Sequence, residues 1–166
     1  MKLLSNLFKW ACNYCIPREL MQDHDELRRA RFAIAMSLTF FFVSPVYALM
    51  YYLLGLKSIT FILLLGSLVG ITVGLTIKTT GNIKNTSHQF GISLFMMIGS
   101  CVVCTGGLES TVLGWMCIAP LGAMLIGGGR PALFWSILTV FFIMGIFILG
   151  ELGINFPNQV FYFPFQ

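Results

Sequence analysis

Three sets of residues have types and spacings that could do chemistry. Two C-x-x-C pairs, Cys12 with Cys15 and Cys101 with Cys104, have the spacing of half-sites for a four-thiolate zinc centre. Two histidines, His24 and His88, stand singly, without ligand partners beside them in sequence. Two carboxylates, Glu109 in "TGGLES" and Glu151 in "LGELGINFP", sit in glycine-bearing breaks between apolar runs. No phosphate-binding G-x-x-x-x-G-K-[ST], zinc-protease H-E-x-x-H or nucleophile-elbow G-x-S-x-G pattern occurs. No nucleophile with a positioned base is visible, so the expectation is a protein that is not an enzyme and has no catalytic residue.

What these groups can do depends on the elements that position them. Of the 166 residues, 57% are hydrophobic and 10% charged, against about 25% charged in a soluble domain. A helix crossing the ~30 Å hydrocarbon core needs about 20 apolar residues. Five such stretches are present, at 32–56, 58–77, 88–105, 108–126 and 132–149. They are continuous rather than alternating, which predicts helices and not barrel strands. The fold class expected is an all-α integral membrane protein with about five transmembrane helices. The N-terminal "MKLLSNLFKWACNYC" has no long apolar centre and no A-x-A site, so it is not expected to be a cleaved signal peptide.

Charge sets the orientation. Lys2, Lys9, Arg18, Arg28, Arg29, Arg31, Lys78, Lys84 and Arg130 fall on one side of the five spans and only Lys57 on the other. The side rich in Lys and Arg faces the cytoplasm, so the N-terminus is expected inside and the C-terminus outside. The first cysteine pair is then cytoplasmic and the second lies near the outer end of span three. Zn–S bonds of about 2.3 Å cannot bridge them, so no metal site is expected. One helical turn is also a poor geometry for a Cys101–Cys104 disulfide, and the pair reads as small buried apolar residues. The "NTS" at Asn85 falls on the cytoplasmic side, where a glycosylation pattern has no use. No charge lies in the middle of a span, which argues against a pump or transporter.

The candidate site that remains is outward. Gly106 and Gly107 permit a tight reversal with φ > 0. Thr105, Ser110 and Glu109 surround them, Trp115 forms an apolar wall beneath, and Glu151 can converge on the same outer pocket. Two alternatives stand beside each other: a ligand or partner site, and solvated helix ends. The residues call for no cofactor, while a bound lipid or pigment is compatible with the composition.

Other features concern packing and the membrane surface. Residues 1–16 place Leu4, Leu7, Phe8, Ala11, Cys12 and Cys15 on one helical face, an interfacial amphipathic helix with Trp10 near the headgroups. Residues 17–31 form a charged cytoplasmic stem, whose Arg28, Arg29 and Arg31 meet anionic headgroups. A five-helix domain over 32–150 and an aromatic-rich outer tail over 151–166 complete the chain. Gly66, Gly70 and Gly74 form a small-residue row for close helix packing, within the chain or in a dimer. Pro45 and Pro120 are expected to kink spans one and four. The partners expected are membrane lipids and either a second copy or other membrane subunits, and no nucleic acid.

The stretches "RELMQDHDELRRARFAIAMSLTF", "TGGLESTVLGWMCIAPLGAMLIGGGRPALFW" and "LGELGINFP" resemble the multi-span N-terminal membrane domain of bacterial sensor histidine kinases and membrane-anchored nucleotidyl cyclases. The resemblance covers most of residues 18–157 and rests on Thr105, Gly106, Gly107, Ser110, Trp115 and Pro120, with Thr111 where that family usually has Pro. It implies a multi-pass protein of the bacterial cytoplasmic (inner) membrane that perceives a small or lipophilic signal or serves as an anchor. No kinase or cyclase motif follows, so the expectation is a sensor domain without its catalytic part. The alternative is an accessory subunit of a larger membrane complex, an energy-transducing or pigment-binding assembly among them.

Overall fold

The structure, a computed structural model, describes residues 2–53 and 55–157. The predicted tail beyond Pro157 lies outside the described residues. Helix α1 spans Lys2–Cys15, α2 His24–Leu53, α3 Lys57–Thr80, α4 Ile83–Cys104, α5 Ile118–Gly127 and α6 Gly129–Glu151. Short 3₁₀ turns lie at Arg18–Met21, Gly107–Glu109 and Leu113–Cys117. Helices α2, α3, α4 and α6 are each long and apolar enough to cross a membrane. This is the make-up of a helical membrane protein.

The reversals are short because their sequences satisfy the helix ends. At the end of α3, Gly81 adopts φ 59 and its N–H returns to the Ile77 carbonyl, the left-handed stop that glycine makes without steric cost. Asn82 then caps α4, its side chain accepting from the N–H groups of Lys84 at 3.0 Å and Asn85 at 3.2 Å. The charged stem expected over 17–31 divides, its first part forming the 3₁₀ turn Arg18–Met21 and its second, from His24, running without a break into the first span as α2, which has Pro45 inside it. Asp23 starts that helix, its carboxylate accepting from the Asp25 N–H at 2.8 Å.

Small residues bring the helices together. In lipid the hydrophobic effect between helices is absent, and close backbone approach supplies the contact instead. Each glycine of the α3 row meets a different neighbour. A Cβ on Gly70 would lie 3.3 Å from the Ser37 carbonyl of α2, one on Gly66 would strike Met97 of α4, and one on Gly74 would sit 3.3 Å from Cys15 Sγ of α1. The row therefore packs inside the chain. On α4, Gly91 receives the Trp135 ring and Gly99 the Phe142 ring, so α6 runs parallel to α4. Helix α5 runs antiparallel between them, with Gly122 against Phe90 and Gly127 against Ser87. Ser87 also donates to the Ala123 carbonyl at 3.1 Å.

The stretch expected to be a continuous helix over 108–126 differs. It comprises the 3₁₀ turn Gly107–Glu109, a non-helical link, the 3₁₀ turn Leu113–Cys117 and the ten-residue α5. Gly106 at φ 105 and Gly107 at φ 63 delay the start, and Gly114 adds a second weak helix former. Pro120 is the third residue of α5. It sits in the first turn of that helix, a position proline tolerates, rather than in the middle of one.

One end of the bundle collects the basic residues. Arg29 lies against the Gly128 turn between α5 and α6, 3.3 Å from where a Cβ would stand, and Lys78 Nζ sits 3.3 Å over the Tyr14 ring. Helix α1 docks at this end, burying Ala11 and Cys12 while Lys9, Trp10 and Asn13 stay exposed. Its apolar face thus packs on the bundle.

Candidate functional site

At the opposite end, α4 gives way to the TGGLES turn. Thr105 Oγ1 donates to the Cys101 carbonyl at 2.8 Å, which ties the turn to the last turn of α4. The Thr105 and Ser110 hydroxyls share a hydrogen bond, and Ser110 Oγ accepts from the Val112 N–H at 3.2 Å. Both residues are buried. The Phe156 ring covers Gly107 so closely that a Cβ there would lie 2.6 Å from it. Thr105 and Ser110, expected to face outward, are therefore internal fasteners, and Gly107 is covered.

The two carboxylates behave differently from the expected pair. Glu109 and Glu151 are both exposed, and among the described residues neither makes an ion pair or a side-chain hydrogen bond. Neither lines the cleft described below. Gly107 of the turn is covered by Phe156 of the segment that follows α6, and the two carboxylates share no polar pocket.

Beneath the turn lies a cleft of ≈ 340 Å³, within the range of small-molecule sites. Helix α2 forms one wall with Ser44, Tyr47 and Tyr51, which share a face because they are spaced at i, i+3 and i+7. Met97 and Cys101 of α4 form the other wall. Thr111 and Trp115, in and after the link that follows the turn, form the rim. Trp115, 58% exposed, owes this position to the 3₁₀ segment. Among the described residues no Asp, Glu, Lys, Arg or His lines the cleft. The sequence analysis found Trp115 but missed Ser44, Tyr47 and Tyr51. The signal available was a stripe of hydroxyls at helical spacing in an otherwise apolar span.

The remaining candidates lie elsewhere. Cys12 is buried and Cys15 half-buried at the basic end, Cys101 and Cys104 lie beside the turn, and all five cysteines are free thiols. Burial pushes the Cys12 and Cys15 thiols up, with Arg31 and Lys78 respectively acting in the opposite sense. His88 packs edge-on against Phe134, ring centres 5.6 Å apart. Trp10 is exposed and stacks on Tyr14 at 5.5 Å. Arg28 pairs with Asp25 at 3.4 Å on the surface, a contact worth little. Among the described residues no three of His, Cys, Asp and Glu gather as a metal centre. No family model, curated protein or solved structure matches this chain.

Proposed function

We propose that the chain is a non-catalytic membrane module of the kind found ahead of bacterial sensor kinases and cyclases. It perceives a lipophilic signal or anchors, with the basic end in the cytoplasm of a bacterial inner membrane. The observation that carries this reading is the uncharged cleft under the TGGLES turn, large enough for a small molecule and built from four helices and the stretch that follows the turn. Five crossings fit best. The segment Leu113–Gly127 runs antiparallel to α4, and its five 3₁₀ and ten α residues cover roughly 25 Å at about 2.0 and 1.5 Å per residue. That approaches the ~30 Å core. The positive-inside rule then supports the N-terminus inside.

A second reading, an accessory subunit of a larger complex, is favoured by α6. In its most apolar window 17% of α6 is buried within the chain, against 44% for α4, so α6 has the most surface left for another subunit. Gentle detergent extraction from native membranes followed by native mass spectrometry separates the two. The module reading expects the chain alone or self-associated, carrying a small lipophile. Stoichiometric partner subunits would establish the second reading instead.

A further inference from the structure

Among the described residues the buried hydroxyl groups pair within the chain, with two exceptions, Ser44 and Thr139, and of these two only Ser44 lines the cleft. In α2, Ser37 Oγ donates to the Ala33 carbonyl at 2.8 Å and Thr39 Oγ1 to the Ala35 carbonyl at 2.9 Å. In α3 and α4, Thr76, Thr80, Ser93 and Thr105 close back on the preceding turn in the same way. This is how a hydroxyl in an apolar span finds an acceptor without water. Ser44 is 3% exposed and makes no such bond, and no side-chain or backbone group of the described residues pairs with it. Its small exposed remnant opens on the cleft it lines. Tyr47, Tyr51 and Thr111, which line the same cleft, also have hydroxyls without partners among the described residues.

The depth of Ser44 matters. It lies nine residues before the end of α2, roughly 14 Å below that end at about 1.5 Å per residue. That is near the middle of the hydrocarbon layer, below the level of lipid headgroups. A saturated acyl chain could fill the volume but would leave the hydroxyls unpaired, which a buried polar group does not tolerate cheaply. An ionised head would be stripped of water with no counter-charge, since among the described residues no Asp, Glu, Lys, Arg or His lines the walls. The apolar lining, including Phe40, Val43, Leu63 and Ile98, suits a hydrocarbon body.

We infer that the cleft is a binding site for an uncharged lipophile bearing hydroxyl or carbonyl oxygen, with Ser44 as the deep hydrogen-bonding residue and Tyr47, Tyr51 and Thr111 lining its way to the rim. This deepens the signal-perception reading and rests on it for its biological sense. Partner subunits recovered from native membranes would overturn that reading while leaving probe binding intact.

The test uses the full chain in phosphatidylcholine vesicles and three photoreactive probes of equal length: a long-chain alcohol, the matching carboxylate and the matching alkane. The expected result is labelling of the segments around Tyr47 and Met97 by the alcohol at about tenfold lower concentration than by the alkane, a ratio worth about 1.4 kcal/mol. The carboxylate should label least. Ser44→Ala should bring the alcohol down to the alkane while leaving thermal unfolding unchanged, and Thr111→Val, at the exposed rim, should do so in part. Displacement by diacylglycerol blended into the vesicles identifies a bilayer lipid as the occupant. Displacement only by a water-dispersed acyl ketone identifies a diffusible one. Equal labelling by alcohol and alkane, preference for the carboxylate, or displacement by neither competitor overturns the inference.

Discussion

The polar residues of the TGGLES turn divide by what they touch. Thr105 and Ser110 hold the turn from inside, so Thr105→Val should remove both a bond to α4 and the partner of Ser110. The expected cost is about 1–3 kcal/mol, read as a lower midpoint of thermal unfolding in detergent. Glu109, exposed and unpaired, should behave oppositely. Glu109→Gln is expected to shift stability by less than about 0.5 kcal/mol and to leave probe labelling of the cleft unchanged. At the basic end, burial raises the Cys12 and Cys15 thiols above the usual range. Their thiolates form only at higher pH than that of a free thiol, so alkylation by iodoacetamide should lag a free-thiol standard at neutral and mildly alkaline pH. The sign for stability follows. A raised thiol stabilises the fold while it stays protonated, and that contribution is lost as pH rises through the folded-state value. Alkylation as fast as the free thiol would show α1 to be undocked.

At the scale of elements, what distinguishes one glycine from another is what faces it. Gly70 faces the backbone of α2 at Ser37, which cannot turn aside as a side chain can. Gly70→Leu should therefore push α3 from α2 and cost about 1–3 kcal/mol or more by overpacking. Gly145 in the middle of α6 meets nothing within 4 Å, and Gly145→Ala should be neutral or stabilising by about 0.5–1 kcal/mol through helix propensity. Paired thermal melts check this directly. Equal effects at the two sites would mean that the row is not an interface. The same contrast explains why α5 can be so short. Its small residues Gly122, Ala123 and Gly127 lie against Phe90 and Ser87 of α4, and this close packing stabilises a helix of ten residues that would be marginal alone.

For the whole molecule, the two ends differ in charge and in construction. The basic end carries α1 and the short Gly81 and Gly128 reversals; the other carries the cleft, the held turn, Glu109 and Glu151. With five crossings, Asn155→Cys in a cysteine-free background should react with a membrane-impermeant maleimide from outside the cell. Lys84→Cys should react only after the membrane is opened. Reaction of both from the same side would remove the five-crossing, basic-end-in arrangement.

The all-helical class, the reversal at TGGLES, the small-residue row and the gathering of Lys and Arg at one end follow from the sequence alone. Each is set by composition or by short-range rules: apolar length against bilayer thickness, glycine at positive φ, charge counted by side. The tertiary structure alone decided which neighbour each glycine faces, and that α1 docks on the bundle. It also decided that Pro120 falls in a first helical turn, because the place where a helix starts depends on packing as well as on local propensity. The cleft belongs to the same group. Ser44 and Thr111 are far apart in the chain, and an unpaired hydroxyl is recognised only once every neighbour that could have paired with it is in place.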